Sequence, residues 1–214
     1  MSLFPNRWRA LAAALLAALA LPLATPAHAG GGPLGIDHEI AFDQSGIWAR
    51  RYQVGVEYGV IAVEFAGALW LGNDDAVGHQ FWQAIDSTAF ASATAFVMKR
   101  AFGRARPNAG LGPDAWGRGA CCESFPSGEV TLQAAFVTPL ILANREAHPW
   151  IWALEALPAY DAVARMKSQA HWQTDVLAGW AIGTAAGYWA ASRQVPFFVQ
   201  WVPHGLSVGY ARRF

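Results

Sequence analysis

Net charge is what this 214-residue chain lacks first: 15 basic residues balance 15 acidic ones, and charged residues make up only 14% of the sequence. A chain so balanced has no global field with which to attract nucleic acid or an acidic surface, so any anion-binding function must come from local clustering. Cysteine is scarce too. The only two, Cys121 and Cys122, are adjacent, and a bond between neighbours would distort the intervening peptide from its planar trans geometry. No histidine or further cysteine stands near them at a zinc-like spacing, so they read as plain loop thiols. Internal repeats, low-complexity tracts and signs of a second domain are also missing.

What is abundant is apolar and aromatic: 54% hydrophobic residues and 11 Trp. Part of that excess lies in residues 1–29, where Arg7 and Arg9 precede an apolar run from Leu11 to Leu23 and Ala27-His28-Ala29 makes a small-x-small cleavage site. That order predicts a secretory signal. About 185 residues remain, enough for one domain with a sizeable core.

Residues 30–51 begin glycine-rich and then mix charges with aromatics, as a surface segment does. From Tyr52 to Leu71, apolar residues at Val56, Val60, Val63 and Trp70 recur at three-to-four spacing, which predicts a helix. Asn73-Asp74-Asp75 turns the chain, and a second helix from Val77 to Phe102 delivers Lys99 and Arg100 at its C-terminal end, where the helix dipole favours cations. Gly103 to Ser127 holds five Gly and three Pro among 25 residues and reads as a long loop. Ser127 then caps a helix from Gly128 to Asn144 that contains Pro139, expected to kink it or mark its weakest turn. A fourth helix follows Pro149 toward Arg165, with a break expected at Pro158. The last runs from Trp172 to Arg193. The tail, 195–214, suits a strand or an irregular cover. This is an all-α pattern of five to six helices, counting the N-terminal run.

Three segments carry chemistry. In Lys99 to Pro107 (KRAFGRARP), a helix end and a loop can bring an ammonium and the Arg106 guanidinium to one anion from two sides. Taken alone, such a stretch suits a solvated surface as well. Pro126-Ser127-Gly128 sets a hydroxyl and an unhindered amide at a helix N-terminus, which taken alone is a helix cap. His171 and Asp175 stand four apart, so the carboxylate can accept the imidazole N–H and fix the tautomer of an attacking nitrogen, or simply form a local pair.

The joint order K-x6-R-P, then P-S-G, then R-x5-H-x3-D resembles the signature of the type 2 phosphatidic acid phosphatase and vanadium haloperoxidase superfamily. The resemblance spans Lys99 to Asp175 and implies a helical-bundle phosphatase domain over 52–194. It further implies that Lys99, Arg106, Arg165, Ser127 and the Gly128 amide bind phosphate, that His171 attacks phosphorus to form a phosphohistidine, and that Asp175 orients it. Two positions depart from the pattern. Ala164 stands where serine is usual, and Glu129 stands where the family has a histidine that protonates the leaving oxygen. An unperturbed Glu has a pKa of about 4.3, and neighbouring cations favour its ionised form, whereas burial and a bound phosphate dianion oppose it. Glu129 can therefore be read as the general acid, as a ligand for a cation or a polar headgroup, or as the mark of a phosphate-binding protein with little turnover.

The expected function is hydrolysis of phosphate monoesters or diphosphates, lipid and prenyl phosphates included. The alternatives are a non-catalytic binding protein of the envelope and a vanadate-dependent haloperoxidase. No metal or cofactor is expected, and the partner is a phosphorylated small molecule or lipid phosphate, not nucleic acid. Glu57, Glu64, Asp86, Glu155 and Asp161 interrupt the apolar helices, and Val176 to Ser192 is the best membrane-spanning candidate. The expected location is therefore periplasmic or secreted, resting on a membrane through Trp-rich surface. The alternative is an integral inner-membrane protein with its site facing the periplasm. Trp116 and Phe125 could line a lipid entrance or belong to the core.

Overall fold

A computed structural model describes residues 31–119, 122–193, 198–202 and 205–209. The expected signal segment, Cys121 and parts of the tail lie outside the described residues. Among them are five α-helices: α1 (Arg50–Leu71), α2 (Ala76–Phe102), α3 (Gly128–Asn144), α4 (Ala156–Lys167) and α5 (Gln173–Ala191). A short antiparallel hairpin follows, β1 (Phe198–Val202) and β2 (Gly205–Gly209), with Gln200 opposite Ser207.

Helix boundaries follow local chemistry. Asp75 caps α2 by accepting from the Val77 and Gly78 amides at 2.8 and 2.9 Å, and Gly103 ends it in the left-handed region at φ 48°, a conformation that favours glycine. The break expected at Pro158 is absent. A 3-10 turn, Pro149–Glu155, leads into α4, and Pro158 lies in the first turn of that helix. A missing N–H has no intrahelical partner to lose there. Pro139 sits inside α3, which continues through it.

Helix α3 is the axis of the bundle. It is apolar all round and buried from Val130 to Ile141 except Leu132, as a fully enclosed helix must be. Val60 of α1, Ala84 of α2 and Phe136, Val137, Leu140 and Ile141 of α3 form one core cluster. On the other side α5 lies directly on the α3 backbone. A Cβ at Gly179 would meet the Ser127 carbonyl oxygen at 2.5 Å, one at Gly183 the Thr131 oxygen at 2.3 Å, and one at Gly187 the Thr138 Cβ at 2.4 Å. The glycines every fourth residue are what permit this approach.

The acidic residues expected to interrupt the apolar helices mostly point inward: Glu64, Asp86 and Asp161 are buried. Consequently the outer faces of α1, α2 and α5 are apolar. Among the described residues one helix, α1, is long and apolar enough to cross a membrane, and most of it is exposed. The last helix, expected to be the best such candidate, does not qualify.

Residues 36–43, expected to be a plain surface segment, are a strap laced onto the loops at one end of the bundle. The Asp43 amide donates to the Lys167 carbonyl at 3.0 Å, Gln169 Nε2 to the Ile40 carbonyl at 3.0 Å, and Gln173 Nε2 to the His38 carbonyl at 3.0 Å. The described parts of the long 103–127 loop are held by backbone bonds such as Ala105 to Ala115 at 2.8 Å and Gly117 to Phe102 at 2.9 Å. Phe102, the last residue of α2, meets Trp116 and Phe125 of the loop edge to face, and those two meet each other, at 5.3–5.9 Å. Phe125 is buried, whereas Phe102 and Trp116 are half-buried. Cys122 is buried against Ala105 and Ala115.

Candidate active site

All five helices present an end at one pole of the bundle. The starts of α1, α3 and α5 bring Arg50, the Ser127–Glu129 turn and Asp175; the ends of α2 and α4 bring Lys99 and Arg165. Hydrogen bonds stitch these ends together. The Ser127 amide donates to the Asp175 carbonyl at 2.9 Å, which joins the second sequence segment to the third. A Cβ on Gly128 would lie 3.5 Å from Lys99 Cε, which sets the first segment against the second.

The expected cations converge. Lys99 Nζ donates to the Glu123 carbonyl at 2.8 Å, and burial, together with the charge of Arg106, lowers its ammonium to about 8. The charge of Arg106 also acts on Arg165, so the three form one positive cluster. Arg165 is buried, its Nη1 donates to Gln53 Oε1 at 3.1 Å, and its Nε has no hydrogen-bond partner among the described residues.

Ser127 occupies the N-cap position of α3, yet its hydroxyl makes no capping bond. It is fully buried, and its Oγ has no hydrogen-bond partner among the described residues. The expected cap is thus replaced by an idle donor beside the first free amides of a helix, where the dipole favours an anion.

His171 is buried, and burial first, with Lys99 and Arg165 adding to it, drives its imidazole down to about 4. The ring is neutral at physiological pH and keeps a nucleophilic lone pair. Its Nδ1 lies 3.7 Å from Asp175 Oδ2, beyond hydrogen-bond reach, and has no hydrogen-bond partner among the described residues. Nε2, on the far side of the ring, is directed away from that carboxylate.

Asp175 is occupied elsewhere. Its Oδ1 accepts from Arg104 Nη1 at 2.6 Å, and its Oδ2 from Ser124 Oγ at 2.5 Å and from the Trp172 amide at 2.8 Å. Burial pushes the carboxyl up, but His171, Arg104 and Ser124 outweigh it and hold the pKa low. Arg104, which sequence reasoning missed, is completely buried. It bridges Asp175 to Asp37 of the strap, whose Oδ2 lies 2.6 Å from Nη2. Asp37 also accepts from the Thr174 amide at 2.8 Å and the Thr174 hydroxyl at 2.6 Å. The available signal was arithmetic: the KRAFGRARP segment has four cations, and the anion site uses two.

Glu129 lies between two guanidinium groups. Its Oε2 accepts from Arg50 Nη1 at 2.7 Å, and its Oε1 is 3.7 Å from Arg165 Nη1. Burial would raise its pKa, but the Arg50 hydrogen bond and the charges of Arg165 and Arg50 lower it on balance. That balance favours the ionised form of Glu129, held between Arg50 and Arg165. Arg50 was outside every motif and could not be found from spacing. Behind the clamp, Gln133 Nε2 donates to the buried Asp161 Oδ2 at 2.9 Å. Among the described residues no group of three His, Cys, Asp or Glu is arranged to hold a metal ion.

The family model of the PAP2 superfamily matches residues 80–198. A crystal structure of Aquifex aeolicus LpxE is similar at 18% identity, with a TM-score of 0.50, covering 67% of this chain and 85% of that one. That likeness concerns the fold alone. No curated protein matches the chain.

Proposed function

Since the chain belongs to the PAP2 superfamily, matched over more than half its length, we propose that it is a phosphatase that hydrolyses phosphate monoesters or diphosphates through a phosphohistidine. The observation that carries this reading is a pair of buried polar atoms idle among the described residues, Ser127 Oγ and Arg165 Nε, beside the Lys99, Arg106 and Arg165 cluster. Buried donors without partners are costly, and a phosphoryl group with three acceptor oxygens would relieve that cost.

In the proposed sequence Lys99, Arg106 and Arg165 hold the equatorial oxygens, and the Ser127 hydroxyl and Gly128 amide donate to them. His171 Nε2 attacks phosphorus, the bond to the leaving oxygen breaks, and its electron pair departs on that oxygen. Asp175 stabilises the positive charge that develops on the imidazole. Water then cleaves the N–P bond, releasing phosphate and restoring neutral His171. The apolar outer faces of α1, α2 and α5 support a site that works beside lipid, with a lipid phosphate as the substrate class.

The test is hydrolysis of an aryl phosphate and a lipid diphosphate by protein lacking residues 1–29. His171→Ala should abolish turnover of both; retained hydrolysis would overturn the reading. The ionised state of Glu129 favours a second reading, phosphate binding without turnover. It predicts a silent protein that hydrolyses only as Glu129→His.

A further inference from the structure

Arg50 carries a feature that the phosphate cradle does not require. Its side chain spends one nitrogen, Nη1, on both Glu129 Oε2 at 2.7 Å and Gln53 Oε1 at 3.2 Å. Its Nε and Nη2 make no hydrogen bond among the described residues. Exposure falls steadily inward from it: the side chains of Arg50, Glu129, Arg165 and His171 are 42%, 13%, 9% and 3% exposed. Arg165 belongs to the floor of the cradle and Arg50 to its rim, with Glu129 between them. Gln53 Oε1 ties the two guanidinium groups together, accepting from Arg165 at 3.1 Å as well.

We propose that Arg50 is a specificity-determining residue that binds a second anionic group of the substrate, so that the site prefers a diphosphate to a phosphate monoester. This deepens the phosphatase reading and rests on it for the chemistry, though not for the binding. The terminal phosphoryl group sits on Lys99, Arg106 and Arg165, and the inner one reaches Arg50 Nε and Nη2. Two parallel N–H donors of a guanidinium match a phosphate edge.

The same arrangement accounts for the missing acid. When His171 attacks the terminal phosphorus, the bond to the bridging oxygen breaks, and the electron pair leaves on an oxygen of the inner phosphate. That charge spreads over a phosphate next to Arg50, so the leaving group needs no proton from Glu129. A monoester releases an alkoxide, which does. Glu129 in this account holds Arg50 and Arg165 at their spacing while the site is empty.

The experiment compares kcat/KM for a diphosphate and a monophosphate of the same alcohol, in the unsubstituted protein, Arg50→Gln and Arg50→Lys. The diphosphate-to-monoester ratio should fall about tenfold or more in Arg50→Gln, the worth of one charge-assisted contact. Arg50→Lys should recover part of it. A ratio within about twofold of the unsubstituted protein, whatever the absolute rates, would overturn the proposal by showing that Arg50 acts only through Glu129. Calorimetry on His171→Gln with inorganic pyrophosphate and inorganic phosphate gives a reading independent of turnover. Pyrophosphate should bind about tenfold tighter, and adding Arg50→Gln should erase that preference. Absent turnover together with this Arg50-dependent preference would sink the phosphatase reading and keep the subsite. Equal affinity for the two anions would sink the subsite.

Discussion

His171 is uncharged at neutral pH, with one ring nitrogen free of a proton, because burial drives its imidazole down to about 4, whereas Lys99 keeps its charge up to about 8. The signs fix a pH profile. As pH rises through about 4, His171 loses its proton and gains a lone pair, so kcat/KM rises. As pH rises through about 8, Lys99 becomes neutral and the cradle weakens, so kcat/KM falls. A broad plateau between these limbs is the expected result for a good leaving group, since kcat/KM reports the free protein. Were Glu129 an obligatory acid, its lowered pKa would confine activity to the acid side of the ordinary carboxylate value and remove the plateau. At this scale the sequence singled out Lys99, Arg106, Ser127, Arg165, His171 and Asp175 as candidates, because each lies in a short segment of ordered spacing. Arg50 and Asp37 stayed hidden. Their partners are 79 and 67 residues away, and a single charge without local pattern gives no sign of what it will meet.

Among the elements, the α3–α5 contact and the strap have the clearest consequences. At Gly179 an added Cβ would meet the Ser127 oxygen at 2.5 Å and Thr131 Oγ1 at 2.9 Å. Neither can yield easily, for that carbonyl already accepts from the Thr131 amide at 3.1 Å and the Thr131 hydroxyl at 2.7 Å. Gly179→Ala should therefore cost about 1–3 kcal/mol despite the better helix propensity of alanine, and it should also depress activity by displacing Ser127. Gly187→Ala, equally crowded against Thr138 but toward the far end of α3, should lower the melting temperature similarly with kcat retained. Equal activity losses in the two variants would show that the contact does not position Ser127. In the strap, Asp37→Ala removes one of two carboxylates facing the fully buried Arg104. Leaving that charge half compensated should cost about 3–5 kcal/mol in urea unfolding, and a loss below about 1 kcal/mol would mean that Asp175 suffices. The helices themselves were legible from periodicity, and even Pro158 pointed to a real boundary, misread as a break within a helix instead of its first turn. The strap was not legible, since residues 36–43 carry no periodicity and owe their order to loops far along the chain.

For the whole molecule, the decisive fact is which side of each helix its charges occupy. A count along the sequence finds Glu64, Asp86 and Asp161 interrupting apolar stretches and argues against lipid; the fold turns all three inward. Trp70 and Leu69 are 90% and 72% exposed at the end of α1, where with Ala66, Gly67 and Leu71 they form an open apolar surface. Phe90, Phe96 and Val97 on α2 and Leu177 and Tyr188 on α5 are exposed too. Large apolar residues exposed on three neighbouring helices suit a surface that meets a partner, and helix α1, at 22 residues, matches the ~30 Å of a hydrocarbon layer. The protein without residues 1–29 should therefore co-sediment with phospholipid vesicles. Because Leu69 and Trp70 point outward, Leu69→Glu with Trp70→Glu should leave the fold intact by circular dichroism while lowering the vesicle partition coefficient at least about tenfold, given the 1.5–3 kcal/mol that burial of one large apolar side chain contributes. A protein that stays monodisperse in the supernatant without detergent, with or without these changes, would mean that the apolar faces meet something other than lipid, and the substrate class would then have to be sought among soluble phosphates.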